Sequence, residues 1–352
     1  RIIMTEQRPI QPTPVGALRF NTDSAKLEYF DGNQYVNITT DSPEQNTGGT
    51  RALFAGGEAP SRVNTITFAN IDTTGNAVDF GDASRTLSGH TAFASRTRGL
   101  ISNGVTGPQP TNHTNAIEFV TIASQGDGQD FGDTVIGVSQ RASCSSSTRG
   151  LIISGMYAGQ QQNAIDSVTM SQSGNAVDFG DLSVKQNGGH ALSSPTRGII
   201  GGGYYASPVS DFVNTIQYVT ISTFGNGADF GDLTRIVRYP CTAANAIRGV
   251  YAGGSNPSTD AQKTIDFITI ASLGDAIDFG DLGGVISDFH QGAASPTRAV
   301  FPGGLGPAPS YTRYSAITYV QFMTLGNAMD FGDLTAGTQY VAGMSNGHGG
   351  LG

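Results

Sequence analysis

One copy of a sixfold repeat reads TRGIIGGG at Thr196–Gly203 and, after a short loop, NTIQYVTISTFGNGADFGDL at Asn214–Leu233. The tetrapeptide DFGD recurs six times, at intervals of 48 to 52 residues, and each copy has an arginine upstream, before an apolar run. A fixed internal period of this length is typical of arrays, solenoids and propellers. The repeat arginines are Arg51, Arg98, Arg149, Arg197, Arg248 and Arg298, and the first aspartates of DFGD are Asp79, Asp130, Asp178, Asp229, Asp278 and Asp330.

The spacing inside each copy separates a constant frame from one variable loop. An isoleucine precedes DFGD by 13 residues in every copy, whereas 9 to 13 residues separate that isoleucine from the glycine that follows the arginine run. Alternation and β-branched residues predict four short strands per copy, for example GHALSS, RGIIGG, IQYVTI and ADFGDL. Four strands per roughly 50 residues, apolar on both faces, predict the blades of a β-propeller.

The two ends of the repeat region predict closure of the ring. The first copy begins at Thr50 without a preceding inner strand, and the last DFGD is followed by TQYVAGMSNGHGG, which has the spacing of such a strand. A blade shared by both ends leaves no open sheet edge. The expected fold is therefore an all-β, six-bladed propeller over residues 50–352, with a linear solenoid as the alternative.

Residues 50–352 resemble kelch-type propellers in their GHA inner strand, double glycine and repeat length. Kelch repeats carry a tryptophan on the outer strands, and this chain has none. The DFGD phenylalanines are the candidates for a related packing position. They are Phe80, Phe131, Phe179, Phe230, Phe279 and Phe331.

Residues 8–38 look like a small β-meander found in tailed-bacteriophage fibre and other virion proteins. The segments ALRF, KLEYF and QYVNI are predicted strands, and DGN between the last two is a tight-turn signal. The resemblance is carried by Arg8-Pro9, Gly16, Arg19, Phe20, Asn21, Glu28, Asp31 and Gly32.

The TRG and DFGD signatures are similar to repeat proteins of marine and cyanobacterial phages. Together the two resemblances imply a virion protein with an attachment or oligomerisation unit at 1–38, a linker at 39–49 and the propeller at 50–352. The N-terminal unit would bind other virion proteins, and a homotrimer is a hypothesis from its fibre-like character. The location implied is the virion surface, after assembly in the host cytoplasm.

Composition argues against several other functions. Lys and Arg number 19 against 28 Asp and Glu, a net charge of −9 without a basic run, so nucleic-acid binding is not expected. No apolar stretch reaches the roughly 18 to 20 residues of a membrane span, and the first residues lack a signal-peptide pattern. Cys144 and Cys241 are too few for a disulfide framework or zinc cluster and are expected to be isolated thiols.

The DFGD aspartates raise the possibility of calcium binding, because hard cations take carboxylate oxygens. The motif lacks the alternating Asp-x-Asp-x-Asp-Gly spacing of a calcium loop, however, and an arginine accompanies each copy. We therefore expect the guanidinium groups to bridge these carboxylates and to cap turn amides. Repetition in six copies also argues against a unique active site, and the DFG sequence lacks the other motifs of a kinase.

Three histidines, His90, His190 and His290, fall on the predicted inner strands of alternate blades. They could converge on a metal, but the register of His190 differs by one residue, which places its side chain on the other face of its strand. We interpret them as hydrogen-bonding residues and expect no metal, no cofactor and no enzymatic activity.

The variable loops are the predicted functional surface, because loops between the second and third strands of all blades emerge on one face. Their Tyr, Asn, Gln, Ser and Thr residues suit recognition of a glycan or protein, although exposed turns are commonly polar and variable in any case. The leading hypothesis is a tail-fibre or appendage component that attaches to a host-surface glycan or protein. Alternatives are a capsid or tail decoration protein and a secreted glycan-binding or glycan-active propeller. The candidate contact residues are Tyr157, Tyr204, Tyr205, Phe212, Asn256, Asp260, Tyr311 and Tyr314.

Overall fold

The computed structural model of the chain is all-β and divides into two compact units, Arg1–Thr47 and Gly48–Gly352. It describes residues 3–4, 14–21, 26–37, 50–107, 112–206, 211–259, 261–287 and 291–351. Within these ranges, no helix has the length and apolar character needed to cross a membrane. The predicted linker at 39–49 and the pair Arg8-Pro9 lie outside the described residues.

The first unit is a four-stranded sheet whose strands are β1 (Ile3–Met4), β2 (Leu18–Asn21), β3 (Lys26–Phe30) and β4 (Tyr35–Asn37). Strands β2, β3 and β4 form an antiparallel meander, and β1 lies parallel to β2.

Two of the residues that carry the virion resemblance form a buried ion pair in this sheet. Arg19 Nε lies 2.6 Å from Glu28 Oε2, and the Arg19 guanidinium carbon is 3.7 Å from the Tyr35 ring centroid. Asp31 accepts hydrogen bonds from the amides of Asn33 and Gln34 at the DGN turn, and these bonds lower the pKa of its carboxyl. The meander is therefore held by an ion pair, a cation–π contact and a capped turn.

The second unit contains six antiparallel sheets, one per repeat. In each sheet the strand order follows the chain, except where the C-terminal strand is added to the first sheet. The first sheet contains β29 (Ala342–Ser345), β5 (Arg51–Ala55), β6 (Val63–Asn70) and β7 (Val78–Leu87), and the second contains β8 (Thr91–Ala94), β9 (Arg98–Ser102), β10 (Ala116–Thr121) and β11 (Gln129–Asp133). The third sheet contains β12 (Ala142–Ser145), β13 (Arg149–Tyr157), β14 (Gln160–Thr169) and β15 (Val177–Asn187), with β18 (Tyr204–Tyr205) added, and the fourth contains β16 (His190–Ser193), β17 (Arg197–Gly201), β19 (Thr215–Thr220) and β20 (Ala228–Asp232). The fifth sheet contains β21 (Cys241–Ala244), β22 (Arg248–Ala252), β23 (Gln262–Thr269) and β24 (Ile277–Ile286), and the sixth contains β25 (Ala293–Ala294), β26 (Arg298–Pro302), β27 (Ala316–Gln321) and β28 (Met329–Asp333).

The two ends of the repeat region share the first sheet. Strand β29 pairs antiparallel with β5, so that Ala342 lies opposite Ala55 and Ser345 opposite Ala52. The pairing of β29 with β5 must therefore be broken before either end of the repeat region can separate from the rest of the unit.

The first strands of successive sheets contact one another in a closed cycle, in the order β29, β8, β12, β16, β21, β25 and back to β29. These strands are rich in Ala, Ser and Thr, which permits close approach. Their hydroxyl groups donate to the backbone of the neighbouring first strand, as from Thr242 Oγ1 to Ala191 O at 2.8 Å and from Ser145 Oγ to Ala94 O at 2.8 Å.

The core lies between the sheets. One buried cluster joins Leu192, Ile199 and Phe230 of one sheet to Tyr251 and Ile268 of the next, and five similar clusters occupy other parts of the chain. Each DFGD phenylalanine is buried and its ring contacts another aromatic ring at centroid distances of 5.4 to 6.2 Å. These aromatic pairs add to the packing of the buried clusters.

Candidate binding face

The DFGD motif joins each sheet to the next through its backbone. Phe230 O accepts from Gly274 N at 2.9 Å, and Asp232 O accepts from Ala276 N at 2.7 Å. The amide of Asp232 donates to Asp275 Oδ1 at 3.0 Å. Equivalent bonds occur in the other copies, including the junction between the last repeat and the first.

The glycine of DFGD makes this close approach possible. Gly231 has φ +144°, and a Cβ atom there would lie 2.5 Å from Gly274 O in the next sheet. A side chain would therefore meet both backbone strain and a carbonyl group. The motif connects sheets, and its carboxylates, including all six first aspartates, remain exposed or partly exposed.

The expected bridging of DFGD carboxylates by the repeat arginines is wrong. None of the ion pairs among the described residues joins a repeat arginine to a DFGD carboxylate. Arg197 instead donates from Nη1 to Ile270 O of the next sheet at 2.9 Å, while its guanidinium carbon lies 5.0 Å from the Tyr218 ring centroid. Because the acceptor is a backbone carbonyl, no residue type in the sequence identifies it. Four other repeat arginines donate to backbone carbonyls at 2.7 to 2.9 Å in the same way: Arg51, Arg149, Arg248 and Arg298. All six repeat arginines also lie over an aromatic ring.

The inner-strand histidines do not form a common site among the described residues. His90 is fully buried with Nε2 2.9 Å from Ala55 O, and burial lowers its pKa to about 4. The His190 ring lies against Tyr239, with centroids 6.2 Å apart. His290 is outside the described residues. Across the part of the chain that is described, no group of three His, Cys, Asp or Glu side chains has the arrangement of a metal site.

The space between the first strands is filled by side chains and by the C-terminal segment. Gln291 reaches Ser143, where its Oε1 accepts from Oγ at 3.0 Å and its Nε2 donates to the carbonyl at 3.1 Å. A short 3-10 helix at Gly349–Leu351 follows His348, whose Nε2 is 2.8 Å from Ala94 O. A cavity of about 30 Å³ beside Gln291 and His348 is large enough to hold water.

Both cysteines belong to this buried region. Burial raises the pKa of Cys144 to about 12 and also raises that of Cys241. The thiolate is the reactive form, so these side chains act as small packing groups.

The variable loops gather on one side of the second unit. Each second-to-third-strand connection pairs with the connection that precedes the first strand of its own sheet, through Glu58 and Gln339, Val105 and Ser88, Met156 and Ser139, Tyr204 and Asn187, Ser255 and Arg238, and Leu305 and Ser287. We call the side formed by these connections the loop face.

In five sheets, the residue two positions before the first strand has a backbone in the left-handed region, with φ between 55 and 67°. These residues are Gly89, Gln140, Gly188, Tyr239 and Tyr340. Their backbones are linked, with Gln140 N donating to Gly89 O at 2.7 Å and Tyr239 N to Gly188 O at 2.7 Å. The rings of Tyr239 and Tyr340 meet edge to face at 6.1 Å. Strained non-glycine backbone is concentrated here, as it often is at functional sites.

Arg238 is the centre of an aromatic cluster on the loop face. Its guanidinium carbon lies 4.4 Å from the Tyr239 ring centroid, 5.7 Å from that of Tyr204 and 5.9 Å from that of Phe212. Its Nη2 donates to Gln140 Oε1 at 3.1 Å. We call Gln140, Tyr204, Phe212, Arg238 and Tyr239 the Arg238 patch, in which Tyr239 is buried and supports the arginine while the other four residues are partly exposed.

Sequence reasoning identified only two members of this patch, Tyr204 and Phe212, which pack edge to face at 5.9 Å. Arg238 and Gln140 are 98 positions apart, and no local pattern links them. The available signal was a basic residue beside a tyrosine in an acidic chain, at Arg238-Tyr239.

The other predicted contact residues differ in exposure. Tyr157 and Tyr311 are half exposed, and the Tyr157 ring lies 5.9 Å from that of His113. Tyr314 is partly buried against the adjacent core cluster. Tyr205 is buried and accepts from Gln217 Nε2 at 3.3 Å, so it supports the sheet and does not face a ligand.

Asn256 organises its own loop, because its Oδ1 accepts from the amides of Ser258 at 2.9 Å and Thr259 at 2.6 Å. Asp260 lies outside the described residues.

The chain matches no protein-family model, and comparison with curated proteins finds no match.

Proposed function

We propose that residues 50–352 are a six-bladed, kelch-like β-propeller that binds a ligand through its loop face and has no catalytic role. The cyclic contacts of the first strands, the sheet shared by both chain ends and the DFGD links between neighbouring sheets support this architecture. Gln291 and the segment after His348 occupy the centre, which favours recognition at the surface over chemistry in a central pocket.

The observation that carries the proposal is the Arg238 patch. Aromatic rings provide flat apolar area, and arginine and glutamine provide directional hydrogen bonds. Their contacts with one another fix the side chains in advance, which lowers the entropic cost of binding. Such a surface suits a saccharide, whose rings have both apolar C–H faces and hydroxyl edges.

We propose further that the protein is a surface component of a tailed-phage particle, in a tail fibre or appendage, and that the saccharide belongs to the host surface. The resemblance of residues 8–38 and of the TRG and DFGD repeats to phage virion proteins supports this assignment. The N-terminal unit would then attach the chain to other virion proteins, with self-association as a trimer. Arg19 and Glu28, two of the residues on which the resemblance of this unit rests, form an ion pair with each other.

Glycan-array binding of the full chain tests the recognition proposal. Replacement of Phe212 by Ala is expected to weaken binding at least tenfold. The control Leu273→Ala should leave binding unchanged, because Leu273 is an exposed apolar residue in the connection between β23 and β24, which is not one of the loop-face connections. Equal binding by wild type and Phe212→Ala would contradict a role for the patch.

Immunogold labelling of particles with an antibody to residues 50–352 tests the virion proposal. Label at tail or fibre tips supports host attachment. Label distributed over the capsid or tail wall would indicate decoration instead, and unlabelled intact particles would reject a virion-surface location.

A further inference from the structure

Arg238 differs from three other arginines of the second unit in having no carboxylate partner in the part of the chain that the structure describes. Arg141 lies 2.8 Å from Asp166, Arg85 3.1 Å from Glu118, and Arg235 3.5 Å from Asp266. Among the described residues, Arg238 has no carboxylate within ion-pair distance. Its positive charge is therefore not neutralised by the part of the protein that is described.

The guanidinium is also held in place without using all its donors. Nη2 bonds to Gln140 Oε1, which accepts from Asn187 Nδ2 as well, at 2.5 Å. The stem of Arg238 lies against Gly188, where an added Cβ would be 2.8 Å from Arg238 Cγ. Arg238 Nε is buried and has no hydrogen-bond partner among the described residues. A ligand cannot reach this buried Nε, so an anionic acceptor would use Nη1 and the second hydrogen of Nη2, for which no partner is found among the described residues.

We propose that the Arg238 patch binds the carboxylate of an acidic saccharide, an inference that rests on the proposed glycan-binding function. The planar guanidinium fork matches a carboxylate, and the adjoining rings of Tyr204 and Phe212 provide the apolar surface for the sugar ring. The chain has a net charge of −9, so long-range attraction does not favour an acidic ligand, and selectivity depends on this local cation.

The test uses the full chain on an array of uronic-acid and sialic-acid oligosaccharides, each beside its carboxyl-reduced counterpart. Wild type is expected to bind at least one acidic glycan tenfold or more tightly than the reduced form. Arg238→Gln should abolish that preference, and Arg238→Lys should retain part of it because it keeps the charge but not the fork. The matched control is Arg62→Gln, which removes another partly exposed arginine, one that already has Glu58 as partner at 3.8 Å.

The outcomes separate this inference from the function on which it rests. Equal binding of acidic and reduced glycans by wild type, or an acidic preference that survives in a folded Arg238→Gln variant, would overturn carboxylate recognition while glycan binding stands. Failure of wild type to bind any glycan would reject both. The melting temperature of each variant establishes that it is folded.

Discussion

The DFGD glycines provide the sharpest test of how the sheets are joined. In Gly231→Ala, the new Cβ would lie 2.5 Å from Gly274 O and 2.6 Å from Gly274 C, both backbone atoms of the next sheet. The residue would also have to adopt φ +144°, which costs an alanine about 1–3 kcal/mol. Separation of the sheets would weaken the bonds from Gly274 N and Ala276 N, each worth about 1 kcal/mol. The expected loss in the free energy of unfolding is therefore about 3–5 kcal/mol.

Urea and thermal unfolding of the purified full chain measure this loss. A domain of this size loses about 2 °C of melting temperature per kcal/mol, so we expect a decrease of about 6–10 °C. Gly284→Ala is the matched control, because Gly284 lies in a strand with open space around its Cβ position. If Gly231→Ala and Gly284→Ala unfold within 1 °C of each other, the proposed role of the DFGD glycine is refuted.

Three further predictions concern the frame and its buried groups. Arg197→Met removes the hydrogen bond to Ile270 O and the contact with the Tyr218 ring, and should lower the free energy of unfolding by about 2 kcal/mol. The control is Lys185→Met, which replaces an exposed side chain and should change the free energy of unfolding little. Equal urea midpoints for the two variants would contradict the role of Arg197. The pKa of His90 is about 4 in the folded chain and near 6.5 in the unfolded chain, so the unfolded chain binds more protons between these two pH values. The free energy of unfolding should therefore fall as the pH drops from about 6.5 to about 4, and His90 should account for about 3 kcal/mol of that fall. If His90→Gln has the same pH dependence of stability as the wild type, His90 is not the group responsible. Cys144 and Cys241 should resist a thiol reagent at pH 8 in the folded chain and react in denaturant, and rapid labelling of the native protein would show that they are accessible.

Much of the local structure could be predicted from residue order. The segments RGIIGG and IQYVTI correspond to strands Arg197–Gly201 and Thr215–Thr220, because β-branched residues and alternation are local signals. The outer strand at Ala228–Asp232 likewise coincides with ADFGDL. Side-chain direction was harder to predict, as Tyr204 and Tyr205 show: successive residues of a strand point to opposite faces, and only the packing of the neighbouring sheet buries Tyr205.

The amino-acid sequence by itself determined the repeat and the strand-forming segments, because these depend on local backbone preference and on spacing along the chain. The tertiary structure alone decided that Arg197 binds a carbonyl 73 residues away and that Arg238 meets Gln140 across 98 residues. Such contacts depend on how the sheets pack against one another. Their partners include backbone atoms and residues from different repeats, which no local pattern can specify.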